Sequence, residues 1–65
     1  MEFEFTENEA LWPDWVRELD PTLEYGKCWK IHYRRGSVDV HQDVYEGDTI
    51  SIDNDGIRVR RPQNP

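Results

Sequence analysis

The sequence has one cysteine, Cys28, so it can form no disulfide within the chain, and with no C-x-x-C pair it cannot form a zinc knuckle. A small domain without disulfides suits a reducing compartment. No apolar run approaches the ~20 residues that a membrane-spanning helix needs. The opening "MEFEFTENEA" has neither a positive n-region nor an apolar h-region, so no secretory signal is expected and a cytoplasmic location is. Catalytic signatures are missing as well: no G-x-S-x-G, no glycine-rich phosphate loop and no H-E-x-x-H. At 65 residues the chain makes one domain, 1–65, with 61–65 ("RPQNP") as a terminal tail. So short a chain buries only ~60% of the surface its unfolded form exposes, which leaves little room for a water-excluded cleft. Enzyme activity is not expected, and neither is a cofactor.

Base is scarce at one end. Residues 1–24 hold eight acids, Glu2, Glu4, Glu7, Glu9, Asp14, Glu18, Asp20 and Glu24, against the single base Arg17, a net of -7. Residues 25–65 hold six acids and seven bases, a net of +1, so the formal charge of -6 belongs to the N-terminal third. Three tryptophans argue against a disordered acidic tail.

The hydrophobic pattern predicts an α+β fold, ordered β-α-β-β-β-β, with one helix packed on the apolar face of a small antiparallel sheet. "MEFEF" alternates, with Met1, Phe3 and Phe5 on one face and Glu2 and Glu4 on the other, the mark of a half-buried strand. Thr6 and Glu9 have the spacing of a capping box. Trp12, Trp15, Val16, Leu19 and Leu23 then make an apolar stripe at helical spacing. A short turn is expected at about 7–11, and the main helix from Pro13, its first residue, to Asp20, where Pro21 disfavours helical geometry. The N-terminal strand joins the sheet edge at a place the pattern leaves open.

The second half reads as a four-strand meander. "KCWKIHYR" and "SVDVHQDVY" flank Gly36-Ser37, which suits a two-residue hairpin turn with glycine first. That register sets Tyr33 opposite Val40 and Trp29 opposite Val44 on the core face. On the outer face it sets Arg34 opposite Asp39, Lys30 opposite Asp43 and His32 opposite His41, and the facing opposite charges support it. A three-residue "EGD" loop keeps Val44 and Ile50 on one face. "NDG" turns the last hairpin, with Ile52, Ile57 and Val59 inward. An Asp55-Gly56 turn there would set Asp53 opposite Arg58.

His32 and His41, with Asp39 and Asp43 alongside, are the residues nearest to a metal-ligand set. Nothing in the pattern supplies a second shell or a pocket, so a solvated pair is expected and no metal. "DNDG" opens like a calcium loop, yet the glutamate such a loop needs at its twelfth position is absent. Cys28 lies four residues from His32, roughly 13 Å along a strand, too far for that base to activate it. Lys27, Lys30, Arg34, Arg58, Arg60 and Arg61 form a candidate nucleic-acid face. Aspartates neutralise part of it, and an acidic domain is a poor polyanion binder, so no direct nucleic-acid binding and no membrane partner are expected.

That leaves the acids. Glu2 and Glu4 lie ~6.5–7 Å apart on a strand, a spacing like that of neighbouring phosphates. Asp14 and Glu18 lie four apart on the helix, away from its apolar stripe, where like charges repel. Net charge of this size also serves solubility, which is the plain alternative. In its small single-domain build, its lone cysteine and the acidic "MEFEFTENEALWPDWVRELD", the chain resembles the small acidic inhibitors carried by bacteriophages, including anti-CRISPR proteins that mimic DNA. The resemblance implies a non-enzymatic inhibitor that binds a bacterial protein, above all a CRISPR effector, with a Lys/Arg-lined nucleic-acid groove. The eight acids Glu2 to Glu24 would then stand in for phosphates. The alternative is a small adaptor that binds a protein partner through a sheet edge.

Overall fold

The computed structural model describes residues 1–26 and 28–62; Lys27 and the last three positions of the expected tail lie outside the described residues. Six short strands form two three-stranded antiparallel sheets. In chain order they are β1 (Glu2–Glu4), β2 (Thr22–Glu24), β3 (Cys28–Arg35), β4 (Val38–Val44), β5 (Thr49–Asp53) and β6 (Gly56–Arg60). One sheet has the order β1-β5-β6, the other β2-β3-β4.

This overturns the α+β expectation: the fold is mostly β, with no helix packed on a sheet among the described residues. Between β1 and β2 there is only a 3-10 turn at Glu9–Leu11 and a single helical turn, α1 (Asp14–Arg17). Two prolines explain the shortfall. Pro13 caps the turn from outside with an extended backbone, and Asp20, ahead of Pro21, takes a left-handed φ of 50°. The few residues between them are too few for a helix to hold itself together. The stripe was read correctly as apolar but not as helical throughout. Trp12, Val16 and Leu19 are buried, whereas Leu23 sits on β2 and is 47% exposed. The capping box does not form either. Asn8 caps the 3-10 turn by accepting from the Ala10 N–H at 3.2 Å, and the Thr6 hydroxyl accepts from the Asn8 N–H at 3.3 Å.

The β3–β4 register is the expected one at every pair: Trp29 with Val44, Lys30 with Asp43, His32 with His41, Tyr33 with Val40, Arg34 with Asp39. Gly36, with φ of 64°, takes the first turn position, which an L side chain would resist. The N-terminal strand joins β5, pairing Phe3 with Ile50. In the last hairpin Asp53 pairs with Gly56 across Asn54-Asp55 and Ile52 with Ile57, so the alternative Asp55-Gly56 turn does not form and Arg58 lies opposite Ser51 and not Asp53. Asp53 instead accepts from the Asp55 N–H at 2.8 Å.

Both sheets feed one core of Phe5, Trp12, Val16, Leu19, Ile31, Val44 and Ile50, with Phe3, Trp15, Trp29, Tyr33, Ile57 and Val59 packed against it. Three aromatic rings from three parts of the chain meet there. Trp12 stands edge-on to Trp29 at 5.3 Å and 87°, and Phe5 lies 5.7 Å from Trp12 and 6.0 Å from Trp29. Contacts of this geometry add ~0.5–1.5 kcal/mol each beyond area burial.

Backbone bonds fasten the irregular segment to both sheets. Phe5 donates to the Asp48 carbonyl at 2.7 Å and accepts from Gly47 at 2.9 Å, while His32 donates to the Leu19 carbonyl at 2.7 Å. The β4–β5 loop runs from Tyr45 through Asp48, longer than the three residues expected, yet Val44 and Ile50 are both fully buried. Asp48, 3% exposed, closes that loop by accepting from the Tyr45 N–H at 3.0 Å. A test separates this strand-based packing from a helical stripe. Ile31→Ala should cost ~2–5 kcal/mol of unfolding free energy, and Leu23→Ala should stay within ~0.5 kcal/mol. A helical stripe would make both changes costly, so urea denaturation of the two variants decides between them.

Candidate functional site

The eight N-terminal acids divide into three groups by what they touch. Glu2 and Glu24 are ion-paired. Glu2 on β1 meets Arg60 of β6 at 2.8 Å, reaching across β5, and Glu24 meets Lys30 at 3.8 Å. Glu7 is held by hydrogen bonds: its carboxylate accepts from the Trp29 indole N–H at 3.2 Å, and its own N–H donates to the Glu46 carboxylate at 2.7 Å. Glu4, Glu9, Asp14, Glu18 and Asp20 are exposed, and none has an ion-pair partner among the described residues.

Local structure sets the place of each. Glu4 shares the outer face of β1 with Glu2, while Phe3 between them turns inward. Glu9 opens the 3-10 turn. Asp14 opens α1 and Glu18 closes it, the Glu18 N–H donating to the Asp14 carbonyl at 3.0 Å, so the two carboxylates leave the same turn. A carboxylate at the start of that turn is well placed, because its free N–H groups carry partial positive charge. Arg17, the one base of the region, spends its guanidinium on backbone. It donates to the Glu9 carbonyl at 2.7 Å and the Trp12 carbonyl at 3.2 Å. It therefore braces the two turns against each other and forms no direct ion pair with the neighbouring carboxylates among the described residues.

The bases of the second half are arranged differently. Lys30 sits between Asp43 at 3.3 Å and Glu24 at 3.8 Å. Arg34 meets Asp39 at 3.1 Å, and Arg58 meets Asp55 at 3.6 Å. Arg35 donates to the Ile57 carbonyl at 3.4 Å, and Arg61 lies over the Tyr45 ring at 5.0 Å. Of the residues considered for a nucleic-acid face, Lys30, Arg34, Arg58 and Arg60 are thus each committed to a carboxylate. Exposed pairs of this kind contribute little to stability. What they do is cancel charge locally, so the negative surplus stays on residues 4–20.

His32 and His41 face each other as expected, with ring centroids 4.7 Å apart at 70°. The Nε2 of His32 lies 3.0 Å from the Thr22 hydroxyl. Asp20 lines the same shallow concavity. Among the described residues, no group of three or more His, Cys, Asp or Glu side chains is placed to hold a metal ion. Cys28 has no histidine beside it; its sulfur lies 3.8 Å from the Tyr45 hydroxyl, and that contact holds the Tyr45 hydroxyl above its ordinary pKa. No helix among the described residues is long and apolar enough to cross a membrane.

Pattern reading missed two of these arrangements. The Glu7–Trp29 contact joins residues far apart in the chain, and Asp48 was read only as part of a loop.

The Lys30 ammonium is held above the usual lysine pKa by its hydrogen bond to Asp43, then by the charges of Asp43 and Glu24. Attraction that raises a lysine pKa favours the folded state below the unfolded value and fades as pH rises through the folded one. Asp43→Asn should therefore bring the Lys30 titration down toward the ordinary range, as read from its side-chain NMR shifts. An unmoved titration would mean that Asp43 does not hold the ammonium. No protein-family model, curated protein or solved structure matches the chain.

Proposed function

We propose that this protein is a non-enzymatic inhibitor that binds a bacterial nucleic-acid-handling protein, with a CRISPR effector complex as the favoured target. Its carboxylates would occupy the Lys/Arg-lined groove that otherwise takes DNA. The observation that carries this reading is the segregation of charge. In the second half Asp39, Asp43 and Asp55 are each ion-paired and Glu46, Asp48 and Asp53 accept from backbone N–H groups, while Glu4, Glu9, Asp14, Glu18 and Asp20 stand exposed without an ion-pair partner among the described residues. Acidity serving solubility alone would not need one region left uncompensated while neighbouring acids are matched.

The physical logic is that grooves tracking nucleic acid respond first to phosphate charge and only then to sequence. A folded carboxylate array enters such a groove under the same long-range field that steers DNA. It offers no phosphodiester to cut and no duplex to unwind. Glu2 and Glu24, tied to Arg60 and Lys30, contribute less negative potential than their free neighbours, and Glu7 is fixed by Trp29. The acids expected to matter most are therefore Glu4, Glu9, Asp14, Glu18 and Asp20. A location in the cytoplasm of the bacterial host belongs to the same proposal.

Asp14 and Glu18 offer the cleanest test, because both are exposed and neither supports the core. The double reversal Asp14→Lys, Glu18→Lys is to be compared with the parent protein in gel-shift assays of target DNA binding by a panel of purified CRISPR effectors. Inhibition by the parent should weaken steeply as salt rises. The reversal should weaken it at least about tenfold, or 1.4 kcal/mol, with the far-ultraviolet circular dichroism unchanged. A reversed protein that inhibits as well as its parent would rule out charge mimicry. A panel in which no effector is inhibited would remove the CRISPR target.

A further inference from the structure

The outer edge of β4 is the longest strand edge in the described structure. β1 and β2 have three residues each; β6 has five, carries Arg58 and Arg60, and is followed by Arg61 and Pro62. Positive charge and a nearby proline are common devices that discourage strand addition. β4 runs seven residues with no proline and no lysine or arginine of its own.

The register shows which groups that edge presents. A two-residue hairpin closes on a hydrogen-bonded pair, here Arg35 with Val38, so the alternate pairs Arg34–Asp39, His32–His41 and Lys30–Asp43 are the non-bonded ones. The bond from the His32 N–H to the Leu19 carbonyl agrees, since it points away from β4. The N–H and C=O groups of Asp39, His41 and Asp43 therefore point outward from the sheet. Around them the surface has two characters. On one face stand the carboxylates of Asp39 and Asp43, each paired on its inner side with Arg34 or Lys30 across the hairpin, yet with side chains still 72% and 48% exposed. On the other stand Val38, 61% exposed, and the half-buried Val40.

We propose that this edge is an addition site for an extended segment of a partner protein in which basic and apolar residues alternate. Main-chain bonds to Asp39, His41 and Asp43 would supply the docking. The segment's arginines or lysines would lie beside Asp39 and Asp43, and its apolar residues over Val38 and Val40. A second copy of this chain fits poorly. Antiparallel pairing of two β4 strands about His41 would set each Asp39 against the other copy's Asp43, and like charges directly opposite destabilise. The site does not depend on the N-terminal acids, so it stands or falls apart from the charge-mimic reading.

The probe is a capped heptapeptide alternating arginine and valine, with a glutamate–valine peptide as control, titrated into the ¹⁵N-labelled full chain. The proposal expects saturable shifts along β4 with the arginine peptide only. Exchange at the Asp39, His41 and Asp43 amides should slow by about tenfold or more. His41→Pro removes an outward N–H without touching the β3–β4 bonds, and should abolish binding. Should that variant not fold, the double change Asp39→Lys, Asp43→Lys should reverse the preference toward the glutamate peptide. Shifts confined to residues 4–20, no saturable binding, or binding indifferent to these substitutions would overturn the proposal.

Discussion

The structure depends on the meeting of Phe5, Trp12 and Trp29. Phe5 leaves the end of β1, Trp12 follows the 3-10 turn, and Trp29 stands on β3 opposite Val44. The three rings lie within 6.0 Å of one another, so one contact joins both sheets and the irregular segment between them. A chain of this size has few ways to bury enough apolar surface, and large aromatic side chains are the most economical means of doing so. Their polar atoms are satisfied where they emerge. The Trp12 indole donates to the Thr6 carbonyl at 2.6 Å, and the Trp29 indole to Glu7 at 3.2 Å.

Because the aromatic junction holds residues 5 to 19 in place, the acids of that stretch sit on a scaffold and not on a tail. Fixing a carboxylate array before it meets a partner lowers the ordering cost of binding. Arg17 contributes to the same end by tying the 3-10 turn to α1 through backbone carbonyls, and it forms no ion pair with the surrounding acids among the described residues. Stability and charge display are thus served by the same side chains. The opposite sheet keeps its own charges balanced across β3 and β4 and exposes a strand edge instead.

The β3–β4 hairpin was legible residue by residue because two independent signals agreed. Its period-2 apolar pattern put Trp29, Tyr33, Val40 and Val44 on one face, and its charges matched only in the register that occurs. The helix is shorter than expected because the spacing in "LWPDWVRELDPTL" fits a helical stripe while Pro13 and Pro21 leave too few residues between them for more than a single turn. Leu23 met the spacing rule and belongs to a strand. In the last hairpin, Asn54-Asp55 and Asp55-Gly56 were both acceptable turns, and the pairing of Asp53 with Gly56 selects the first. The acids were found as a set, but not which of them are neutralised. The Glu2–Arg60 contact requires β1 beside β5 and β5 beside β6, a long-range topology that local patterns do not encode.

The central claim is that the acidic segment is rigidly held, and backbone ¹⁵N relaxation tests it most directly. The account predicts order parameters for residues 7–20 close to those of the strands, about 0.85. Values below about 0.6 across that segment would show the acids to be on a flexible tether, and would contradict the account.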